Sequence, residues 1–232
     1  GIVFLNKIAK QIHYRFINRF TECWVPDAEN ATINFAGKLS HPQIPPIIPV
    51  KYLGILSRFK KLDEQISKDL IIVLSGPEPQ RSIFENIILD QLKVLEGSVV
   101  LVRGLPLEKE TISISEHIEV HNYLPANELN LLIQQSAMVL ARSGYSTIMD
   151  LACIQQKAIL VPTPGQAEQE YLAEYLKREK IFYSTNQKNF NLNESLQAAK
   201  KFYSNPTIPQ THFNEKIIYD WLVVLKKTKE LQ

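Results

Sequence analysis

The sequence predicts an α/β fold, a parallel sheet with helices on both faces. Three observations predict it. From Leu70 onward, short and continuously apolar runs alternate with helical patterns, as they do when strands are buried on both faces. The chain has 232 residues, 45% hydrophobic and 22% charged, an ordinary globular mix with enough apolar material for a sizeable core. It shows no solenoid-period repeat and no low-complexity tract.

The elements follow in order. Ile2 to Phe20 reads as an amphipathic helix, with Phe4, Ile8, Ile12, Phe16 and Phe20 recurring at i+4. Lys7, Lys10, Arg15 and Arg19 give it positive charge with no acid among them. A basic amphipathic helix can lie on anionic lipid. The same period serves a helix packed on a further domain, and that reading is favoured because amphipathic periods are mostly core signals. Thr21–Pro26 reads as a short buried strand. Asp27–Lys51 carries HPQIPPIIP, with Pro42, Pro45, Pro46 and Pro49. Proline fixes its own φ and biases the preceding residue toward extended backbone, so 27–51 is expected to be a stiff linker and a domain boundary.

Beyond it, strands are expected at Leu70–Leu74, Ser98–Val102, His117–His121, Met138–Ala141, Ala158–Val161 and Ile181–Ser184. Helices are expected at Arg81–Val94, Ala126–Ser136, Tyr145–Gln155, Gln166–Glu179, Leu192–Tyr203 and Asn214–Lys227.

Composition excludes some classes. A net charge of +2 is not the basic stripe of a nucleic-acid binder. No apolar run approaches the ~20 residues of a membrane span, and no signal peptide is visible. Cys23 and Cys153 lie in apolar contexts without a CxxC pair or a histidine cluster. They read as buried thiols of a reducing compartment.

In an open parallel sheet, ligands bind at the carboxyl ends of the strands, so the βα loops carry the candidate chemistry. In the first, Ser75-Gly76-Pro77-Glu78-Pro79-Gln80-Arg81, Gly76 permits close backbone approach and Arg81 could hold an anion. The loop lacks a P-loop lysine and a dinucleotide fingerprint, and a stiff turn with a solvated arginine explains it equally well. In the second, His121-Asn122-Tyr123-Leu124-Pro125, backbone groups at Tyr123 and Leu124 could read a base edge. His121 reads as a strand-end histidine. The third, Arg142-Ser143-Gly144-Tyr145-Ser146-Thr147, opens a helix with small and hydroxyl residues suited to a diphosphate. Asp150 follows one turn later, within reach of a ribose hydroxyl. Helix capping uses Ser143, Ser146 and Thr147 equally well, and Asp150 could be a surface acid favourable in the first turns of the helix. The fourth, Pro162–Glu170, offers Gln166, Gln169 and Glu170 as partners for sugar hydroxyls. All four loops share one sheet edge, and together they suggest a sugar-nucleotide site. No metal cluster, Ser-His-Asp set or activated cysteine is visible.

RSGYSTIMDLACIQQKAILVPTPGQAEQEYLAEYL resembles the C-terminal donor domain of family 28 glycosyltransferases. That family includes the lipid-II-forming N-acetylglucosaminyltransferase and monogalactosyldiacylglycerol synthase. The resemblance covers roughly Tyr52–Tyr203 and implies a Rossmann-like domain, the C-terminal half of a two-domain GT-B enzyme. It implies that Tyr123 and Leu124 read uracil, that Gly144, Tyr145, Ser146 and Thr147 face the diphosphate, that Asp150 replaces a ribose-binding glutamate, and that Gln169 and Glu170 touch the donor sugar. Asp150 is one methylene shorter than the usual residue, and Glu170 replaces a frequent glutamine.

The resulting expectation has four segments. Residues 1–26 are the tail of an acceptor domain preceding this chain, and 27–51 are the linker. Residues 52–205 bind the nucleotide sugar, and 206–232 form a helix crossing back to the acceptor side. The expected activity is metal-independent, inverting hexose transfer from a UDP-sugar to a glycan or lipid-linked acceptor. No cofactor is expected beyond that co-substrate. The general base belongs to the acceptor domain, so the isolated chain is expected to be inactive. The expected location is the cytoplasm, with membrane contact through the 2–20 helix or the preceding domain left open. A UDP-sugar epimerase of the same architecture and a non-catalytic nucleotide-sugar-binding subunit are the alternatives.

Overall fold

The computed structural model describes residues 12–30, 32–204 and 208–229. The chain divides into two compact units, residues 1–56 with 211–232, and residues 57–210. In the first unit, residues 12–17 are helical (α1). The N-terminal part of the expected 2–20 helix lies outside the described residues. Ile12, Phe16 and Phe20 form an exposed stripe. Strand β1 (Cys23–Val25) pairs in parallel with β2 (Val50–Tyr52), Cys23 opposite Val50.

The intervening segment is not the expected linker. It wraps around Asp27, which is fully buried. Asp27 Oδ1 accepts from the backbone N–H groups of Ala28 (2.8 Å) and Phe35 (2.9 Å), and Oδ2 from Ala36 N–H (3.0 Å) and the Ser40 hydroxyl (2.6 Å). Four donors around one carboxylate offset the cost of burying its charge. The prolines stiffen a return path between two paired strands. Their composition does not reveal that pairing.

The last helix, α7 (Glu215–Lys229), belongs to this unit. Trp221 meets Trp24 of β1 edge-on, with ring centroids 5.5 Å apart. Asn214 N–H donates to Leu53 O at 2.8 Å. Gly54, at φ +75°, allows the strand exit to cross residue 212, because a Cβ there would lie 1.9 Å from His212 O. The first crossing between units therefore falls after Leu56 and the return after Gln210, each five residues later than the segment boundaries expected from the sequence.

The second unit is a doubly wound sheet. Strands β3 (Leu70–Val73), β4 (Val99–Val102), β5 (Ile118–His121), β6 (Val139–Ala141), β7 (Ala158–Leu160) and β8 (Tyr183–Ser184) form one sheet. Its order is β5-β4-β3-β6-β7-β8, and every pair is parallel. The helices are α2 (Gln80–Leu92), α3 (Ala126–Gln134), α4 (Tyr145–Cys153), α5 (Ala167–Arg178) and α6 (Leu192–Phe202).

The central strands are buried at every position of β4, β6 and β7, which explains their unbroken apolar sequence. Leu70, Ile72, Phe84, Ile88, Leu101, Leu140 and Ile159 belong to the core beneath α2. Tyr203 closes the core from the end of α6. Its hydroxyl donates to Ala158 O (2.7 Å) and accepts from Ala158 N–H (3.1 Å) and Tyr183 N–H (3.2 Å). Burial pushes this phenol up to about 12, against the lowering effect of those backbone contacts. Cys23 and Cys153 are half-buried, less enclosed than their apolar neighbours suggest. Among the described residues, no helix is long and apolar enough to cross a membrane.

Candidate nucleotide site

Strand order reverses between β3 and β6. Successive connections then run in opposite directions, and the loops leaving these two strands diverge. In doubly wound sheets that divergence is where ligands bind. The loop after β3 and the loop after β6 are therefore the walls of the candidate site.

The β6 loop is anchored from beneath. Arg142 is 2% exposed and lies over the Phe84 ring, 4.2 Å from its centroid. It donates to Val161 O (3.3 Å), Pro162 O (3.2 Å) and Gln80 O (3.1 Å). Burial pushes its guanidinium down to about 10, still cationic at neutral pH. Ser143 is fully buried and donates to Gln169 O at 2.8 Å. These two residues fasten the loops after β3, β6 and β7 to one another. Both were expected among the nucleotide-sugar-binding residues, and the structure places their side chains on the protein's own backbone. Their position directly after the buried strand β6 draws both side chains inward.

Helix α4 begins immediately beyond. Gly144 is its N-cap in extended conformation, with no side-chain cap and no acid in the first turn. Gly144, Tyr145 and Thr147 are half-buried, and Ser146 is exposed. A Cβ on Gly144 would meet only Thr147 Oγ1, at 4.0 Å. Nothing in the protein itself demands glycine there.

The other helix starts on this edge differ. Ahead of α2, Glu78 accepts from Ser82 N–H (3.1 Å) and from Arg81 Nε (2.6 Å). Those contacts with Ser82 and Arg81 hold its carboxyl below the usual range. Helix α3 carries Glu128 in its first turn, and α5 carries Glu168 and Glu170. Each of these starts already has a carboxylate at its positive end.

Arg81 is also corrected. It is 5% exposed and ties to Glu85 (3.0 Å), Arg103 O (3.1 Å) and the Ser82 hydroxyl (2.6 Å) besides Glu78. Burial opposes its charge, but Glu78 and Glu85 outweigh that and raise its pKa. Ser75 and Gly76 remain exposed. Gly76 has φ +107°, with no atom within 4 Å of a would-be Cβ.

Asp150 does not lie open to a ligand. It is 6% exposed and accepts from the Ser57 hydroxyl (2.7 Å), Arg58 N–H (3.3 Å) and Arg58 Nε (3.1 Å). Its expected ribose contact gives way to a tie on residues 57–58. Sequence reading missed this partner because Ser57 and Arg58 carry no motif and lie 92 to 93 residues away.

The sugar-side residues are held by their own loop. Gln169 accepts from Thr163 N–H (3.0 Å) and donates to Gln166 Oε1 (2.6 Å), while Glu170 accepts from Gly165 N–H (2.9 Å). Glu170 is exposed, and Gln166 and Gln169 are half-buried. Tyr123 is 56% exposed and Leu124 is 7% exposed, at the end of edge strand β5. Three strand spacings, roughly 14 Å, separate β5 from β6. Among the described residues, no group of three or more His, Cys, Asp or Glu could hold a metal ion.

The fold is an α/β unit of the glycosyltransferase GT-B type. Residues 70–217 match the glycosyltransferase family 28 C-terminal domain, and the chain belongs to that family. The fold is shared with solved glycosyltransferases. The glycotransferase of kitacinnamycin matches with TM-score 0.52 and 16% identity, over 68% of this chain and 42% of that one. The spinosyn forosaminyltransferase SpnP matches with TM-score 0.50 and 14% identity, over 69% and 43%. The chain thus spans less than half the length of either structure. No curated protein matches it.

Proposed function

We propose that this chain is the donor-binding part of a glycosyltransferase that moves a hexose from a UDP-sugar to an acceptor hydroxyl, with inversion and without a metal. The observation that carries the reading is the start of α4. It lies at the strand-order reversal, has no side-chain cap and no first-turn acid, and begins at a glycine that the fold does not require.

In this reading the diphosphate lies against the N–H end of α4, where the helix dipole and backbone donors favour an anion. Uracil lies toward Tyr123 and Leu124, and the hexose toward Gln169 and Glu170. Attack of the acceptor oxygen on the anomeric carbon breaks the bond to the diphosphate, and negative charge builds on the departing phosphate oxygen. Fixed donors aimed at that oxygen lower the barrier without reorganising during the reaction. The general base comes from polypeptide on the acceptor side, so this chain alone binds donor but does not transfer sugar.

Calorimetric titration with UDP, with and without a chelator, tests the reading. Binding that survives the chelator supports it. No binding at millimolar UDP, strict dependence on magnesium, or sugar transfer by this chain alone would each overturn a part of it.

A further inference from the structure

Three loops at the β5 side of the sheet are joined by one buried polar network. Glu85, on α2, is 5% exposed. Its Oε2 accepts from Arg81 Nη1 at 3.0 Å, and its Oε1 from Arg103 Nε at 2.5 Å. Arg103 leaves the end of β4, and its Nη1 donates to Asn122 Oδ1 at 2.9 Å. Asn122 is 7% exposed. Both of its amide hydrogens are used, on Glu108 O (3.1 Å) and Glu110 O (2.9 Å), and its own carbonyl accepts from Leu105 N–H (2.7 Å). Backbone continues the chain, since Arg103 N–H donates to His121 O at 2.8 Å.

The arrangement is unusual for its location. β5 is an edge strand, and the segment between it and β4 has no regular structure. Edge loops of this kind are ordinarily the mobile part of a domain. Here a carboxylate held between two guanidinium groups ends on an asparagine whose four polar contacts are all internal. The residues directly after that asparagine are exposed Tyr123 and buried Leu124.

We infer that Arg103 and Asn122 are positioning residues that fix the Tyr123–Leu124 peptide for base discrimination, without touching the nucleotide themselves. This rests on the donor-binding reading above and deepens it. A backbone peptide can read a base edge only when its N–H and C=O are held in place beforehand. Rigidity fixed in advance lowers the ordering cost of binding and penalises a base of the wrong shape. The fork geometry of Arg103 matters, because one guanidinium spans Glu85 and Asn122 at once. Lysine keeps the charge but presents no fixed fork.

The test compares the unsubstituted chain with Arg103→Lys and Asn122→Ala, using three ligands and hydrogen exchange. UDP, ADP and inorganic pyrophosphate are titrated, and amide exchange is followed at residues 123–129 other than Pro125. Either substitution is expected to weaken UDP about tenfold, because the loosened Tyr123–Leu124 peptide must then be ordered on binding. The preference for UDP over ADP should shrink by a similar factor, and pyrophosphate binding should not change. Exchange at 123–129 should quicken while the β6 and β7 amides keep their protection. UDP and pyrophosphate weakening together would mean general damage to the fold and would overturn the inference. So would unchanged UDP affinity or unchanged exchange. Failure of the unsubstituted chain to bind UDP would instead overturn the donor-binding reading, and this inference with it.

Discussion

Helices α2 and α4 both start at the carboxyl edge of the sheet, on either side of the strand-order reversal, and each has a glycine just before it and an arginine near its start. Sequence alone makes them look like equivalent anion sites. The structure separates them. The α2 start is occupied by its own Glu78, and Arg81 is turned inward to Glu85 and Arg103 O. The α4 start has no side-chain cap or first-turn acid, and Arg142 is fixed beneath it on backbone carbonyls. An arginine beside a glycine-containing loop is therefore poor evidence of an anion ligand. A helix start from which the protein withholds its own carboxylates is better evidence.

Substitutions can break or sharpen that contrast. The largest expected effect is at Gly144. Gly144→Val should abolish UDP binding, because its side chain would enter the space assigned to the diphosphate. The melting temperature should stay close to that of the parent, since a Cβ there meets only Thr147 Oγ1. Equal loss of stability and binding would mean that the glycine serves the fold.

Arg142→Met probes the buried partner of the same loop. It leaves three carbonyls without their donor and should cost about 2 kcal/mol or more in denaturant unfolding. Affinity for UDP per folded molecule should change little. A selective loss of UDP with normal stability would restore Arg142 as a direct ligand.

Asp150→Ala should act on stability as well. It frees Ser57 and Arg58, and a loss of about 1–2 kcal/mol is expected. Discrimination between uridine and deoxyuridine diphosphates should be unaffected. If that discrimination falls, Asp150 meets the ribose after all.

The smallest effect concerns pH. Tyr203 has a raised folded-state pKa, about 12 against an ordinary 10. Its contribution to stability is therefore complete below pH 10 and is lost as pH rises toward 12. Tyr203→Phe should lower stability at neutral pH and flatten the decline between pH 10 and 12. Parallel alkaline declines in the two proteins would contradict this.

Much of the fold was legible. The apolar runs at 70–74, 98–102 and 158–161 locate β3, β4 and β7 because fully buried strands tolerate little else. Helix positions agree to within a turn because their apolar period is a local property. Residues 27–51 misled, since prolines restrict backbone wherever they occur and a buried Asp27 leaves no periodic mark. The site was legible as a set of loops but not as a set of side chains. Arg81, Arg142, Ser143 and Asp150 are the types that bind phosphate or ribose, and also the types that satisfy buried strand ends and chain crossings. Their partners Glu85, Val161 O, Gln169 O and Arg58 are fixed only by tertiary packing.

The central claim is that the diphosphate is held at α4 and not at α2. The direct measurement is a heteronuclear NMR titration of the labelled chain with UDP. The account predicts that the amide resonances of Gly144, Tyr145, Ser146 and Thr147 shift most, those of Tyr123 and Leu124 shift next, and those of Arg81, Ser82 and Ile83 stay nearly still. Largest shifts at 81–83, with 144–147 unmoved, would contradict it.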